Sequence, residues 1–364
     1  MRRTLGETSA AAESFGRPAR ASGRIPALDG LRGCAILLVI AGHAAAPLSH
    51  TLGAAGVTLF FVLSGYLITN ILLQSRPTLA NGGLKSFYGK RARRLLPALL
   101  LLLLFETTLR IVTGQSLIPV VLAGGYVTNF AAAAGHFSTL THSWSLALEE
   151  QFYLLWPLAL PWICRRQRAV WVVLAAAAAS IIMRWSAYAW GPWTLAFFHP
   201  VTRADAILLG CAVALAKARG WGLPRAGLRV LMTAAAVAIV AAAFVWRSLD
   251  AAIGLLPLTA LASAALVASA ASPEATLDNR VLSISPLRFI GRISYGMYLW
   301  HPVALTAVAA IAVGPFRTVA AIGLVMAMAT ASWFMIERRW LEVGTTNAGA
   351  LTSEETGRRV RAGA

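Results

Sequence analysis

Stretches of about twenty consecutive apolar residues recur along this chain, each long enough for a helix to cross the hydrocarbon core of a bilayer. Ten are predicted to span: 33–50, 56–73, 95–113, 144–163, 169–188, 200–217, 228–246, 252–270, 293–313 and 318–338. Lipid offers the backbone no hydrogen bonds, so a spanning segment is either a helix or a strand of a closed barrel. Strand-period alternation is absent from these runs, which excludes a barrel. The chain is therefore expected to be all-α, a polytopic transmembrane helical bundle. Residues 1–24 form an Arg-rich, small-residue tail that is predicted to be disordered. A transmembrane domain covers 25–340, and 341–364 is a polar tail too short to be a domain.

Orientation follows from the basic residues. The formal net charge is +18 with 32 Lys and Arg, but the cations cluster in the loops between apolar runs. That is the positive-inside pattern, and there is no basic, aromatic-interleaved soluble domain to bind nucleic acid. The run SLIPVVLAGGYVTNFA at 116–131 decides the topology. Counted as a span, it puts Arg165, Arg166 and Arg168 outside. Read as a re-entrant or surface segment, which Gly124-Gly125 favours, it leaves those arginines and both termini cytoplasmic. Cys34, Cys164 and Cys211 lie in or beside apolar runs without metal-ligand spacing, and neither a disulfide nor a metal site is expected. The first apolar run begins too far from the N-terminus for a cleavable signal peptide.

Several ionisable residues interrupt the apolar runs, and such residues are costly in lipid and commonly functional. Arg32 and His43 are eleven positions apart, which is three helical turns plus about 20°, so they share one face about 16 Å apart along the axis. With the span beginning at Gly33, Arg32 is expected at the cytoplasmic mouth and His43 near mid-bilayer. The adjacent acids Glu149 and Glu150 sit in THSWSLALEEQFYLLWPLAL. There Ser145, Glu149, Tyr153 and Trp156 share one side, and Glu150 points about 100° away. Lys90, Arg91, Arg93 and Arg94 form a cationic cluster just before the third span. It is read either as a topology anchor or as an anion funnel together with Arg32. In GVTLFFVLSGYLITNILL the small residues Gly56, Ser64 and Gly65 suit close helix packing, with Ser64 or Tyr66 lining a pocket as the other reading. Ser294, Tyr298 and His301 share a face, which places His301 at a depth close to that of His43 and makes Tyr298 and His301 further candidates to line the pocket, with a structural role as the other reading of His301. Arg203 and Asp205 are a possible local charge pair at the outer surface.

Six stretches together resemble the acyltransferase 3 family of integral membrane O-acyltransferases. They are ALDGLRGCAILLVIAGH, FFVLSGYLIT, FYGKRARRLLPAL, THSWSLALEEQFYLLWP, RADAILLG and ISYGMYLWHP, in the family's order over about residues 25–340. The resemblance implies transfer of an acyl group, often acetyl, from cytoplasmic acyl-CoA to a hydroxyl of a carbohydrate or glycosylated acceptor, at the bacterial inner membrane. It implies Arg32 and His43 as the essential pair, Arg91, Arg93 and Arg94 as the arginine motif with Lys90 in place of a commoner Arg, and Glu149 and Glu150 as the acidic motif. Some members add a C-terminal SGNH-type domain, which this chain is expected to lack. In that reading the cationic group takes the phosphates of acyl-CoA and His43 accepts the hydroxyl proton. Glu149 or Glu150 orients the imidazole or binds the sugar. Direct transfer and a route through an acyl-enzyme on Ser64 both stay open. A transporter or flippase using the His and Glu residues as a proton relay is the alternative, and thiol release from acyl-CoA separates the two.

Overall fold

The computed structural model describes residues 25–44, 49–75, 82–222, 249–272, 277–309 and 315–340, with scattered positions between 224 and 241. The tails at 1–24 and 341–364 and most of the expected span at 228–246 lie outside the described residues. Every regular element among the described residues is helical. In chain order these are α1 (Pro26–Ala44), α2 (Ser49–Ser75), α3 (Gly83–Val112), α4 (Ile118–Gly124), α5 (Thr128–Ala133), α6 (Trp144–Cys164) and α7 (Ala169–Trp190). They continue as α8 (Trp193–Phe198), α9 (Pro200–Ala218), α10 (Leu249–Ala270), α11 (Leu277–Leu282), α12 (Ser285–Ala309) and α13 (Pro315–Ser332). A π-turn, Trp333–Glu337, follows α13. Six helical stretches among the described residues are long and apolar enough to cross a membrane, making this a multi-pass membrane protein.

Three boundaries differ from the expectation. The first helix occupies Pro26–Ala44 rather than 33–50, so His43 stands in its last turn and Arg32 in its second. Pro26 can open a helix, because its missing N–H falls in the first turn, where no partner is needed. The Lys90–Arg94 cluster is not in a loop but on α3, which starts at Gly83. The run at 116–131 is broken into two short helices, α4 and α5, with a turn at Tyr126 whose φ of 53° is left-handed.

The core is made by helices that touch backbone to backbone. α1 packs on α2 and α12, α2 on α9 and α10, and α9 on α7. A Cβ at Gly65 would overlap the Ile207 carbonyl and one at Gly210 the Val62 carbonyl, so α2 and α9 meet through reciprocal glycines. Gly33 and Gly291 do the same for α1 and α12, where a Cβ would strike Leu287 and Asp29 carbonyls.

Side-chain ties between helices reveal their relative directions. On α3 and α6, the Tyr88 hydroxyl bonds the Leu154 carbonyl and Arg91 bonds Glu150, so the two run antiparallel. On α2 and α6, Phe61 meets Trp144 and Thr69 meets Trp156, so these run parallel. The linker between α3 and α6 therefore returns the chain to the end it left, and α4 and α5 do not amount to a crossing. Both ends of that linker are tied to α3. Arg110 bonds Glu106 at 3.1 Å, the Ser116 carbonyl at 2.9 Å and Thr139 Oγ1 at 2.7 Å. Gln151 of α6 holds its middle through Asn129 and the Tyr126 carbonyl.

Arg203 and Asp205 do not pair with each other. Residues two apart on a helix point about 200° away from one another. Asp205 instead forms a fully buried ion pair with Arg184 of α7. Arg203, equally buried, reaches Thr58 Oγ1 at 3.3 Å and lies over the rings of Phe61, Trp144 and Phe197.

Candidate active site

The contact of α1 with α12 builds the site. Arg32 precedes the glycine at which the two helices meet, so its side chain reaches across to Ser294 Oγ, 3.2 Å from Nη2, and toward the Gly291 carbonyl, 3.5 Å from Nε. Its guanidinium also lies 5.6 Å from the centre of the Phe60 ring. A pocket opens at this point. Arg32, Ser64, Ser145, Glu149, Ser294 and Tyr298 supply its polar wall, and Phe60, Leu146 and Tyr295 close it. Four helices contribute to the polar wall: α1, α2, α6 and α12. Tyr298 gives its hydroxyl proton to the His142 carbonyl, so Ser145 must be the donor in the 2.7 Å bond between Ser145 and Tyr298.

The adjacent acids have separate environments, as their 100° offset requires. Glu149 faces the pocket and accepts a bond from the Tyr153 hydroxyl at 2.8 Å. Glu150 turns toward α3 and takes the Arg91 guanidinium at 2.9 Å. Arg91 also lies flat over the Tyr153 ring, 3.2 Å from its centre. Arg32, Arg91, Glu149 and Glu150 are all close enough to act on one another or on their shared neighbours, two cations against two anions. Arg91 is therefore committed to the acid pair. Lys90 and Arg94 are exposed on α3, and Arg93 is half-buried.

Above the pocket lies a cluster of three histidines. The His43 ring, on α1, is 4.9 Å from that of His301 on α12. The His142 ring, in the turn Thr141–Ser143 ahead of α6, is 5.3 Å from that of His301. Arg32 with Ser294 and His43 with His301 pair in the same order, so α1 and α12 run parallel. Tyr298 joins pocket to cluster, with its ring 5.5 Å from His301 and 5.9 Å from His142. Each histidine directs Nδ1 at a backbone carbonyl: His43 at Val39, His142 at Thr139 and His301 at Tyr298. A carbonyl only accepts, so Nδ1 carries the proton on a neutral ring and Nε2 is the acceptor. His142 lies in the turn before α6, outside the helix itself, and burial pushes its imidazole down to about 4, leaving it neutral at pH 7.

Three positions fall elsewhere than the sequence suggested, and the first is His301, which stands in the histidine cluster rather than in the pocket wall that Tyr298 lines. Tyr66 is outside the pocket, since it is buried on the α9 side of α2 with its hydroxyl 3.4 Å from Lys217 Nζ. Arg32 lines the pocket rather than an open mouth, because α1 begins well before it. His142 was missed by sequence reading. It precedes α6, outside any apolar periodicity, and only the folded linker carries it to His301. Among the described residues no group of His, Cys, Asp and Glu is arranged to hold a metal ion.

A buried pocket lined by ionisable and hydroxyl side chains, inside a bundle of apolar helices, marks a polytopic membrane protein with an internal polar site. A family model described as an acyltransferase domain matches residues 25–337, and the chain belongs to that family, acyltransferase 3. It is similar to the peptidoglycan O-acetyltransferase OatA of Listeria monocytogenes, with 31% identity over 78% of this chain and 49% of the relative. It is also similar to the O-acetyltransferase OatA of Staphylococcus aureus, with 30% identity over 76% of this chain and 50% of the relative. The chain thus spans about half the length of the relatives it matches. No solved structure matches it.

Proposed function

We propose that this protein moves an acyl group, acetyl in the first instance, from cytoplasmic acyl-CoA to a hydroxyl of a cell-surface carbohydrate at the bacterial inner membrane. The observation that carries the reading is the joining, through Tyr298, of a pocket holding Arg32 and Glu149 to the cluster that contains His43. The pocket is rich in hydrogen-bond donors: a guanidinium and several hydroxyls. Donors of this kind suit a thioester carbonyl, whose oxygen gains negative charge as the hydroxyl adds. The His43 imidazole is the proton acceptor for that hydroxyl, a role contributing about 10²–10⁴-fold in rate. Lys90, Arg93 and Arg94 on α3 serve the phosphates of the donor, and Arg91 holds Glu150 and with it the register of α6. The names of the similar proteins support acetyl as the group and a cell-wall glycan as the class of acceptor.

The test is release of free thiol from acetyl-CoA by the full-length protein in nanodiscs, with and without soluble peptidoglycan fragments. Acceptor-dependent thiol release with acetyl ester on the glycan is the expected result. Movement of glycan across the bilayer with no thiol release would replace this reading with a flippase.

A further inference from the structure

The mechanism above uses one histidine, yet three imidazoles are packed together. His301 is completely buried, and its Nε2 has no hydrogen-bond partner; His142 Nε2 is buried and unpartnered as well. Both Nδ1 protons are already given to the carbonyls of Tyr298 and Thr139. What remains on each ring is a lone pair. A buried polar atom without a partner is costly, and two of them beside the His43 ring form a group that accepts and cannot donate. Such a group is satisfied by one incoming proton, which gives rings whose centres lie 4.9 and 5.3 Å apart an N–H to share. Among the described residues, four charged groups lie around it. Glu149 acts on Tyr298, Arg203 lies over the Trp144 ring, and the Glu106–Arg110 pair holds Thr139. None of these is bonded to Nε2 of His142 or His301.

We propose that His301 and His142 are positioning residues that form, with His43, one proton-holding unit: a single proton taken by His43 is shared with the Nε2 of its neighbours. The step rests on the acyl-transfer reading. As the acceptor oxygen bonds to the thioester carbon, its O–H bond breaks and the proton enters the cluster. As the C–S bond breaks, the same proton goes to the sulfur, and CoA leaves as the thiol. The cluster ends as it began, so no other acid or base is consumed. Sharing stabilises the imidazolium in a site where an isolated charge is expensive.

The structure supplies a variant that separates this role from simple packing. In His301→Asn and His142→Asn the amide nitrogen takes the place of Nδ1 and can still bond the carbonyl, but nothing stands where Nε2 was. The first measurement needs no substrate: ¹⁵N-histidine NMR titration of the full-length protein in nanodiscs, with the His43 signal assigned by its loss in His43→Asn. Removing His301 withdraws an acceptor from the protonated His43, so the His43 midpoint should fall by about one pH unit or more. An unchanged or raised midpoint overturns the proposal. The second measurement is transfer from acetyl-CoA to peptidoglycan fragments. His301→Asn should lower kcat about tenfold with the acetyl-CoA KM unchanged, and adding His142→Asn should not multiply the loss, because the three act as a unit. Wild-type rates in both Asn variants, or fully multiplicative losses, would also sink it. If the wild type released no thiol at all, the acyl-transfer reading would fail, while the NMR titration would still decide whether the rings share a proton.

Discussion

At the scale of single residues, the site turns on how neighbouring side chains divide the work. Glu149 and Glu150 are adjacent in sequence but belong to different structures, one facing the pocket and one pinned by Arg91. That split was legible, because a helix turns 100° per residue. The partner of each acid was not legible, since Arg91 looked like part of a phosphate site until α3 was seen to extend back past it. The two acids should respond differently to amidation. Glu149→Gln removes a pocket charge and should abolish transfer with little change in thermal stability. Glu150→Gln leaves the Arg91 guanidinium half-buried without its counter-ion, and should cost about 1–2 kcal/mol of stability. Arg91→Lys keeps the charge but cannot lie flat on Tyr153 while holding the carboxylate, so it should reproduce the Glu150→Gln loss. Thermal unfolding in detergent beside acetyl transfer checks all three, and equal behaviour of the two Gln variants would refute the division. His43→Ala should lower kcat and kcat/KM together by roughly 10²-fold or more, since the lost interaction exists only in the transition state. A change confined to the acetyl-CoA KM would remove His43 from the role of base.

At the scale of elements, close approach of helices fixes which residues can meet. Without a hydrophobic drive between helices in lipid, packing and small residues hold the bundle. Gly65 and Gly210 let α2 and α9 touch, and Gly33 and Gly291 bring Arg32 within reach of Ser294. The packing role of Gly65 was readable from its small-residue neighbourhood, but its partner on α9 was not, because periodicity identifies a face and not what lies against it. Gly210→Ala should force α9 off the Val62 carbonyl and cost about 1–3 kcal/mol, an overpacking effect. Gly323→Ala is the matched control: nothing lies within 4 Å of its added Cβ on α13, and helix propensity should make it neutral or stabilising. Thermal unfolding of the two variants in the same nanodiscs checks this, and equal melting temperatures would show that the α2–α9 contact is not tight.

At the scale of the whole molecule, the positions of expected spans agree with helices wherever residues are described, yet their ends do not. Apolar runs mark what lipid accepts, while helices extend through polar residues for as long as capping and packing allow, as α3 does through Lys90–Arg94. Order along the membrane normal is therefore better read from pairings than from hydropathy. α3 and α6 are antiparallel and α1 and α12 are parallel, and Arg219 of the turn after α9 bonds the Arg166 carbonyl ahead of α7. These relations set the 165–168 and 217–222 segments at one end of the bundle. The linker at 113–143 belongs to the opposite end, beyond the close of α3 and before the start of α6. The basic residues choose which end faces the cytoplasm, since Arg165, Arg166 and Arg168 sit in one short loop. We therefore expect the 165–168 loop to be cytoplasmic and Ser116 to face outside. In a background with Cys34, Cys164 and Cys211 replaced by Ala, a membrane-impermeant thiol reagent added to intact cells should label Ser116→Cys and spare Arg166→Cys. Opening the cells should expose Arg166→Cys. Labelling of both positions from outside is incompatible with a linker that returns to its own side, and would turn 116–131 into a crossing despite the antiparallel packing of α3 on α6. Labelling of Arg166→Cys alone would keep the fold and invert it in the membrane, moving the α3 cations away from cytoplasmic acyl-CoA.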